Sequence, residues 1–519
     1  MNSNSKILWV DDEIESLKPH ILYLESKGYL MKYVSSGNEA ISLCKNERFD
    51  LVLLDEMMTG LDGLSTLKLI KEIDSSIPII MITKNEEEWL MEEAIASQIS
   101  NYLIKPVNPN QILIACKNIL EKKDLTDNRV TKGFLSAFNE IDLRIQSCDS
   151  IGGWIRIYDE LSNWSLDLEK SNNTNLMDIL NELHFQANRI YGEYICKNYI
   201  NLINNKNHSI PLSPDVLDQF VKPNLINDRD VVLIVIDCLK FDQWKLIKNS
   251  LAPFFTIDTK QHLSILPTAT PYSRNAIFSG KYPIDIQNDF PEEWKIMHND
   301  ENSLNSYEKF LLNEYLKNNN LNNKSMHYSK LTTHMQGQKF YNRINEFKNI
   351  NLLSMVVNFV DILGHSRSES NLLKEMIPDE IAYRRAINDW FKNSWLLDSL
   401  IEISKWNKTV IITSDHGSLR VKKPIKIKAD KFTSSGIRYK HGKNLNIPSK
   451  IAITINDLEK YKLSKTKSNE CFVIAKDDNF FLYPNNYNKY VKRFQNSFHH
   501  GGVSLDEMIV PVGILECKN

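Results

Sequence analysis

Residues 409–418 read TVIITSDHGS. A β-forming, apolar run stops at Ser414, and an Asp, a His and a Gly follow at once. Such a run suits a strand buried on both faces. In an open parallel sheet, functional groups gather at the carboxyl ends of the strands. Asp415 and His416 are therefore candidate metal ligands, and Gly417 permits a sharp turn behind them.

The pattern recurs in VVLIVID (231–237) and MVVNFVD (355–361), which close on Asp237 and Asp361. His365 follows in DILGH, a spacing read as a tight loop after a strand, with Gly364 supporting the turn. FHHGGVSLDEMIVPV places His499 and His500 before two glycines. Zinc takes imidazole nitrogen and carboxylate oxygen at four-coordinate sites. Asp237, Asp361, His365, Asp415, His416 and His500 suffice for two Zn2+ ions with three ligands each. Two metals side by side clamp the attacking and leaving oxygens of a phosphoryl displacement. LPTATPYSRNAIFSG (266–280) offers Thr268 and Thr270 between a strand-like and a helical stretch, with Pro271 suited to a first helical turn. A hydroxyl there faces the positive end of a helix dipole, and metal coordination would make it nucleophilic.

Residues 1–122 alternate apolar runs, ILWV (7–10), LVLL (51–54), IIMI (79–82) and YLI (102–104), with amphipathic stretches. This predicts a doubly wound parallel sheet. Its strand ends carry Asp11 and Asp12, then Asp55, Thr83 and Lys105. Clustered carboxylates call for a divalent cation such as Mg2+; a lysine and a hydroxyl nearby suit phosphoryl oxygens. Residues 123–225 carry apolar residues at helical spacing and predict a helical bundle, with SNNTN (171–175) as a loop. From 226 to 519 the α/β pattern returns. An insertion near 285–350, Asn-rich around 318–323, is expected to form a lid. The fold class is α/β in two parts joined by helices.

The chain has 519 residues, a net charge of −2 and 42 % hydrophobic residues. That length suggests about three domains, and the near-neutral charge gives no sign of a globally basic nucleic-acid binder. Seven scattered Cys without a CxxC pair argue against a disulfide framework or a zinc knuckle. No signal peptide and no membrane-spanning stretch is apparent, so a cytoplasmic location is expected. RVKKPIKIKADK (420–431) and RYKHGK (438–443) are basic stretches that would suit a nucleotide's phosphates, with a tyrosine to stack a base. Residues 124–225 show no recognition helix with a basic face, so direct binding to a DNA operator is not expected.

ILWVDDE, LVLLDEMMTGLDG, IIMITK and YLIKP resemble the receiver domains of bacterial response regulators. The resemblance implies that Asp55 accepts a phosphoryl group from a sensor histidine kinase. Asp12, Asp55 and the Met57 carbonyl would hold Mg2+, with Asp11 supporting. Lys105 and Thr83 would contact the phosphoryl oxygens, and Tyr102 would be the switch aromatic. Thr59 stands where a proline is common, and Lys84 follows the switch threonine where small residues are usual. VLIVIDCLKFDQW, LPTATPYSRNAIFSG, VDILGH, ITSDHG and HHGGVSLDEMIVPV resemble the PglZ branch of the alkaline phosphatase superfamily. That resemblance implies one metal at Asp237, Thr270, Asp415 and His416, a second at Asp361, His365 and His500, and Thr270 as nucleophile. It implies phosphodiesterase action, with oligonucleotides or cyclic oligonucleotides as a substrate class. Relatives place an asparagine shortly after the nucleophile; here Arg274 is read as the phosphate fork.

The whole layout resembles the PorX-type response regulators of Bacteroidota, which are associated with type IX secretion. It implies a phosphorylation-dependent homodimer and a transcription or secretion partner. A metal-bound, non-catalytic scaffold and a phosphomonoesterase or phosphomutase remain open alternatives.

Overall fold

The structure, a computed structural model, describes residues 5–84, 100–120, 129–170, 174–205, 210–299, 305–428, 436–443, 445, 447–465 and 469–518. The chain forms two compact units: residues 1–143 with 170–179, and residues 144–169 with 180–519. Among the described residues no helix is long and apolar enough to cross a membrane.

In the first unit, strands β1 (Lys6–Val10), β2 (Leu30–Val34), β3 (Leu51–Asp55), β4 (Ile79–Thr83) and β5 (Asn101–Ile104) form one sheet in the order β2-β1-β3-β4-β5. Every pair is parallel. β3 and β4 are buried throughout, as parallel strands covered by helices on both faces must be. Helices Lys18–Ser26, Gly37–Asn46, Gly63–Ile73 and Pro109–Leu120 connect or flank them. Ser36 and Asp62 cap two of these by accepting from backbone N–H groups three residues on. β2 escapes an apolar-run criterion, because LMKYV is an edge strand with no fully buried residue.

Helices Arg129–Ser147, Ile151–Lys170 and Thr174–Asn204 occupy the central stretch, where helical spacing predicts them. In the second unit they supply a buried aromatic seam; the Trp154 and Tyr191 rings meet edge-on at 5.5 Å.

The second unit's main sheet contains β6 (Val231–Ile236), β7 (Phe255–Leu263), β8 (Met326–Leu331), β9 (Leu352–Val357) and β10 (Thr409–Thr413). Beyond β10 come β11 (Leu419–Arg420), β12 (Lys423–Lys426), β13 (Tyr439–Gly442), β14 (Ala452–Ile455), β15 (Cys471–Ala475), β16 (Asn479–Leu482), β17 (Phe498–His499) and β18 (Ile509–Cys517). The main sheet runs β7-β18-β10-β6-β9-β8, and the others form small accessory sheets. β10, β6, β9 and β8 are mutually parallel; β18 opposes β10, and β7 opposes β18.

This register fixes the site. The carboxyl ends of the adjacent strands β10, β6 and β9 lie at one rim. β18 starts there, since Val512 faces Thr413, and β7 ends there, since Leu263 faces Ile509. The loop before β18 and the segment after β7 therefore reach the same rim as the three strand ends.

The stretch 285–350 is not a detached lid. It supplies the edge strand β8, and Trp294, Met297, Leu311, Leu312, Tyr315 and Leu316 are buried in a core shared with β6 and β9. Interleaved Asn and Lys residues mask that apolar face in the sequence.

Candidate functional site

The first unit gathers its acids as the strand order requires. Ligand oxygens of Asp11, Asp12 and Asp55 lie within 4.8 Å of one another. Lys105 Nζ sits 2.9 Å from Asp55 and 3.1 Å from Asp11. Burial pushes the Asp55 carboxyl up, and Lys105 only partly offsets this. Thr83 is buried at the end of β4, while Met57 and Tyr102 are exposed. Thr59 donates from its backbone N–H (3.0 Å) and its hydroxyl (3.2 Å) to Asp12. The residue that departs from the usual proline thus orients one of the three carboxylates. A cation fits this donor set, with three carboxylates against one ammonium.

The second unit brings two further clusters together. In one, ligand atoms of Asp237, Asp415 and His416 lie within 4.8 Å; in the other, those of Asp361, His365 and His500 do. The clusters adjoin: the His416 and His500 rings stack with centroids 4.2 Å apart. His365 Nε2 is 3.3 Å from His500 Nε2 and 3.2 Å from Asp361. The sequence reading of DILGH as a loop is corrected here. β9 ends at Val357, and Asp361 and His365 both lie on helix Phe359–Glu369. Four residues apart, they share one helix face. The apolar run misled because Phe359 belongs to the helix and stacks on Trp390 (4.1 Å) instead of extending the strand.

Thr270 opens helix Thr270–Ser279, with Pro271 in its first turn. Its Oγ lies 3.0 Å from His416 Nε2. Thr268 is engaged elsewhere: its hydroxyl donates to the Gly502 carbonyl (2.7 Å) and accepts from Gly501 N–H (3.2 Å). It thereby ties the His500 loop to the threonine loop.

Asp237 and Asp415 are 1 % and 0 % exposed, yet Asp237 Oδ1 and Asp415 Oδ2 have no hydrogen-bond partner. Burial, and then each other's charge, pushes the Asp237 carboxyl up to about 8; burial likewise raises Asp415. Buried carboxylates that each leave one oxygen unpartnered fit a divalent cation. Burial holds the His416 and His500 imidazoles below their usual range, which favours the neutral form that a metal ligand needs. His416 Nδ1–H donates to the Gly417 carbonyl (3.1 Å), which turns Nε2 toward the cluster. Around Asp361, burial acts upward, but His365 and His500 bring the carboxyl well below the ordinary range.

Arg274 is not an open phosphate fork. It is 1 % exposed, donates to Asp237 (2.7 Å) and pairs with the buried Glu308. Asn358, which the sequence reading passed over, donates to the same Asp237 oxygen at 2.6 Å. The second basic stretch is likewise largely structural, whereas Lys422, Lys423, Lys426 and Lys428 of the first are exposed. Arg438 is buried against Glu507, and Lys440 is buried over the Tyr483 ring. Residues 429–431 of the first stretch lie outside the described residues. Glu507 also accepts from Gly502 N–H (2.8 Å) and the Ser504 hydroxyl (2.7 Å), so it shapes the His500 loop.

Residues 216–514 match the family described as the BREX system PglZ alkaline phosphatase-like domain. The chain belongs to the PglZ alkaline phosphatase-like family. Residues 7–117 match the response regulator receiver domain, and residues 124–203 match the PorX response regulator linker domain. A receiver, this linker and a PglZ domain in one chain are the make-up of a PorX-type response regulator. The PglZ domain suggests a phosphoesterase-type hydrolase, and the receiver implies phosphorylation by a sensor histidine kinase. Domains of both kinds bind metals, and the three clusters described above could each hold an ion.

Two curated relatives match over about a quarter of the chain. Transcriptional regulatory protein ResD of Bacillus subtilis is 33 % identical over 26 % of this chain and 57 % of its own. Alkaline phosphatase synthesis transcriptional regulatory protein PhoP of the same organism is 34 % identical over 24 % of this chain and 51 % of its own. The chain spans about half the length of these relatives. Among solved structures, Vibrio cholerae chemotaxis protein CheY4 is 26 % identical, covering 23 % of this chain and 100 % of its own, with a TM-score of 0.21. Thermotoga maritima response regulator TrrA, in complex with Mg2+ and BeF, is 26 % identical over 22 % of this chain and 99 % of its own, with a TM-score of 0.21.

Proposed function

We propose that phosphorylation of this regulator on Asp55 governs a two-zinc phosphodiesterase that acts on oligonucleotides or cyclic oligonucleotides. The observation that carries the reading is the Thr270 hydroxyl, 3.0 Å from His416 Nε2 at a helix start, beside two adjoining Asp/His clusters. Two divalent ions, one held by Asp237, Asp415 and His416 and one by Asp361, His365 and His500, would acidify that hydroxyl and neutralise charge on the phosphoryl oxygens.

In the reaction proposed, Thr270 Oγ attacks phosphorus and loses its proton. The P–O bond to the leaving nucleoside breaks, and that oxygen takes up a proton. The strand's other part stays on Thr270 as a covalent phosphodiester. Water then attacks phosphorus, releasing a monophosphate and restoring the hydroxyl. The helix N-terminus at Thr270 favours the anionic phosphate. Asn358 and Arg274 hold Asp237 in place.

In the receiver, Asp55 would accept the phosphoryl group; Asp12, Asp55 and the Met57 carbonyl would hold Mg2+, with Asp11 supporting, and that ion would neutralise charge on the phosphoryl oxygens, while Thr83, Tyr102 and Lys105 would read the group out. The expected outcome is a phosphorylation-dependent homodimer in the cytoplasm, acting in control of type IX secretion. Turnover of bis(4-nitrophenyl) phosphate and 4-nitrophenyl phosphate, with and without chelator, tests the enzyme. Faster diester cleavage that chelator abolishes and zinc restores supports the proposal. Faster monoester cleavage makes it a phosphomonoesterase. No turnover at full metal occupancy makes it a scaffold.

A further inference from the structure

A cleft of about 480 Å³ opens beside the metal clusters and takes no part in the chemistry above. One wall is the end of helix Phe359–Glu369 with the helix that follows, and the other is helix Tyr487–Phe494. Four cations, Lys374, Lys489, Lys492 and Arg493, line it against a single carboxylate, Glu369.

Two of these cations are poorly satisfied. Arg493 pairs with Glu369 through Nη2, but its Nε is buried without a hydrogen-bond partner. Lys374 Nζ reaches the Lys492 carbonyl at 3.5 Å. Burial, and then Arg367 and Arg493, hold the Lys374 ammonium below its usual range. An anion in the cleft would relieve both strains, since buried donors and like charges are costly until they are paired.

The cleft is close to the chemistry. Ser368, in its wall, donates to the His365 carbonyl at 2.7 Å. From His365 to Glu369 the helix rises only about 6 Å. On the other wall the Phe494 ring lies 5.4 Å from His499, which lies 5.7 Å from the His365 ring.

We infer that this cleft is a second phosphate subsite, binding a phosphate of the same oligonucleotide whose scissile diester lies at Thr270. It makes the enzyme prefer strands with several phosphates over single diesters. The inference rests on the proposed phosphodiesterase reading for the identity of the strand, though not for the binding of an anion. Besides the basic stretches at 420–431 and 438–443, cations also gather on YNKYVKRF (487–494).

The test uses the full chain carrying Thr270→Ala, so that the probe is not consumed. Anisotropy of a fluorescein-labelled oligothymidylate measures affinity with and without Lys374→Gln, Lys489→Gln and Lys492→Gln together. The triple variant is expected to bind about tenfold more weakly at moderate salt. With one fewer phosphate neutralised, the slope of log affinity against log salt should become shallower by about 0.7. Unchanged affinity and slope overturn the subsite. With Thr270 restored, kcat/KM should fall further for the oligothymidylate than for thymidine 5′-(4-nitrophenyl phosphate), and equal falls also overturn it. If neither probe is cleaved while the anisotropy difference persists, the phosphodiesterase reading fails and the anion subsite stands.

Discussion

Asp506→Asn removes the charge at the centre of a buried network that ties the linker helices to the PglZ domain. Asp506 is 3 % exposed. One of its oxygens accepts from His184 (2.9 Å) and Asn188 (3.1 Å) on helix Thr174–Asn204. The other lies 3.2 Å from Lys240 Nζ and 3.4 Å from the Tyr158 hydroxyl. An asparagine keeps one acceptor and turns an N–H2 toward a donor. Lys240, itself 3 % exposed, keeps Glu380 at 3.0 Å as its one ion pair among the described residues. Breaking a buried pair from one side costs about 3–5 kcal/mol, which would lower the melting temperature by roughly 5–10 °C.

The pH dependence has a definite sign. Burial acts to raise the Asp506 carboxyl, but His184 and Lys240 outweigh it and hold the group well below its ordinary 3.8. Burial acts to lower the His184 imidazole, but Asp506 outweighs it and lifts the group above 6.5. The depressed carboxyl contributes stability above pH 3.8 that is lost as pH falls through its lower folded value. The raised imidazole contributes stability below pH 6.5 that is lost as pH climbs through its folded value. The gap between parent and Asp506→Asn should therefore be widest between about pH 4 and 6.5 and narrow above that. Thermal unfolding by circular dichroism across this range measures it. A loss under about 1 kcal/mol, or a gap independent of pH, would refute the reasoning.

Thr270→Ala should leave the melting curve in place and cut diester turnover by at least about a thousandfold; a variant at full rate would remove Thr270 as nucleophile. Gly417→Ala would set a Cβ 2.0 Å from the Asp506 carbonyl oxygen. Because that neighbour is backbone, a cost of about 1–3 kcal/mol or more should appear as a lowered melting temperature. Asp55→Asn should take up no phosphoryl group from acetyl phosphate and Mg2+ by intact mass, and uptake at the parent level would contradict the acceptor assignment.

Much of the site was legible because it follows strand ends. Asp55, Asp237 and Asp415 sit at or just after buried apolar runs, and a parallel sheet places such positions on one rim. Long-range pairing hid the rest. β18 is antiparallel and lies between β10 and β7, and no local pattern in IVPVGILEC announces either fact. DILGH was misread because an apolar strand and the first turn of a helix join without a polar break. The assignments of Arg274 and of the 438–443 stretch failed on burial. A cation's partners, such as Glu308 for Arg274 and Glu507 for Arg438, lie far away in sequence.

The central claim is that two cations sit beside Thr270. Anomalous scattering at the zinc edge, from crystals of the full chain, tests it most directly. The account predicts two peaks roughly 4 Å apart, one in contact with Asp237, Asp415 and His416 and the other with Asp361, His365 and His500. No peak there, with metal absent or bound elsewhere in the chain, would contradict it.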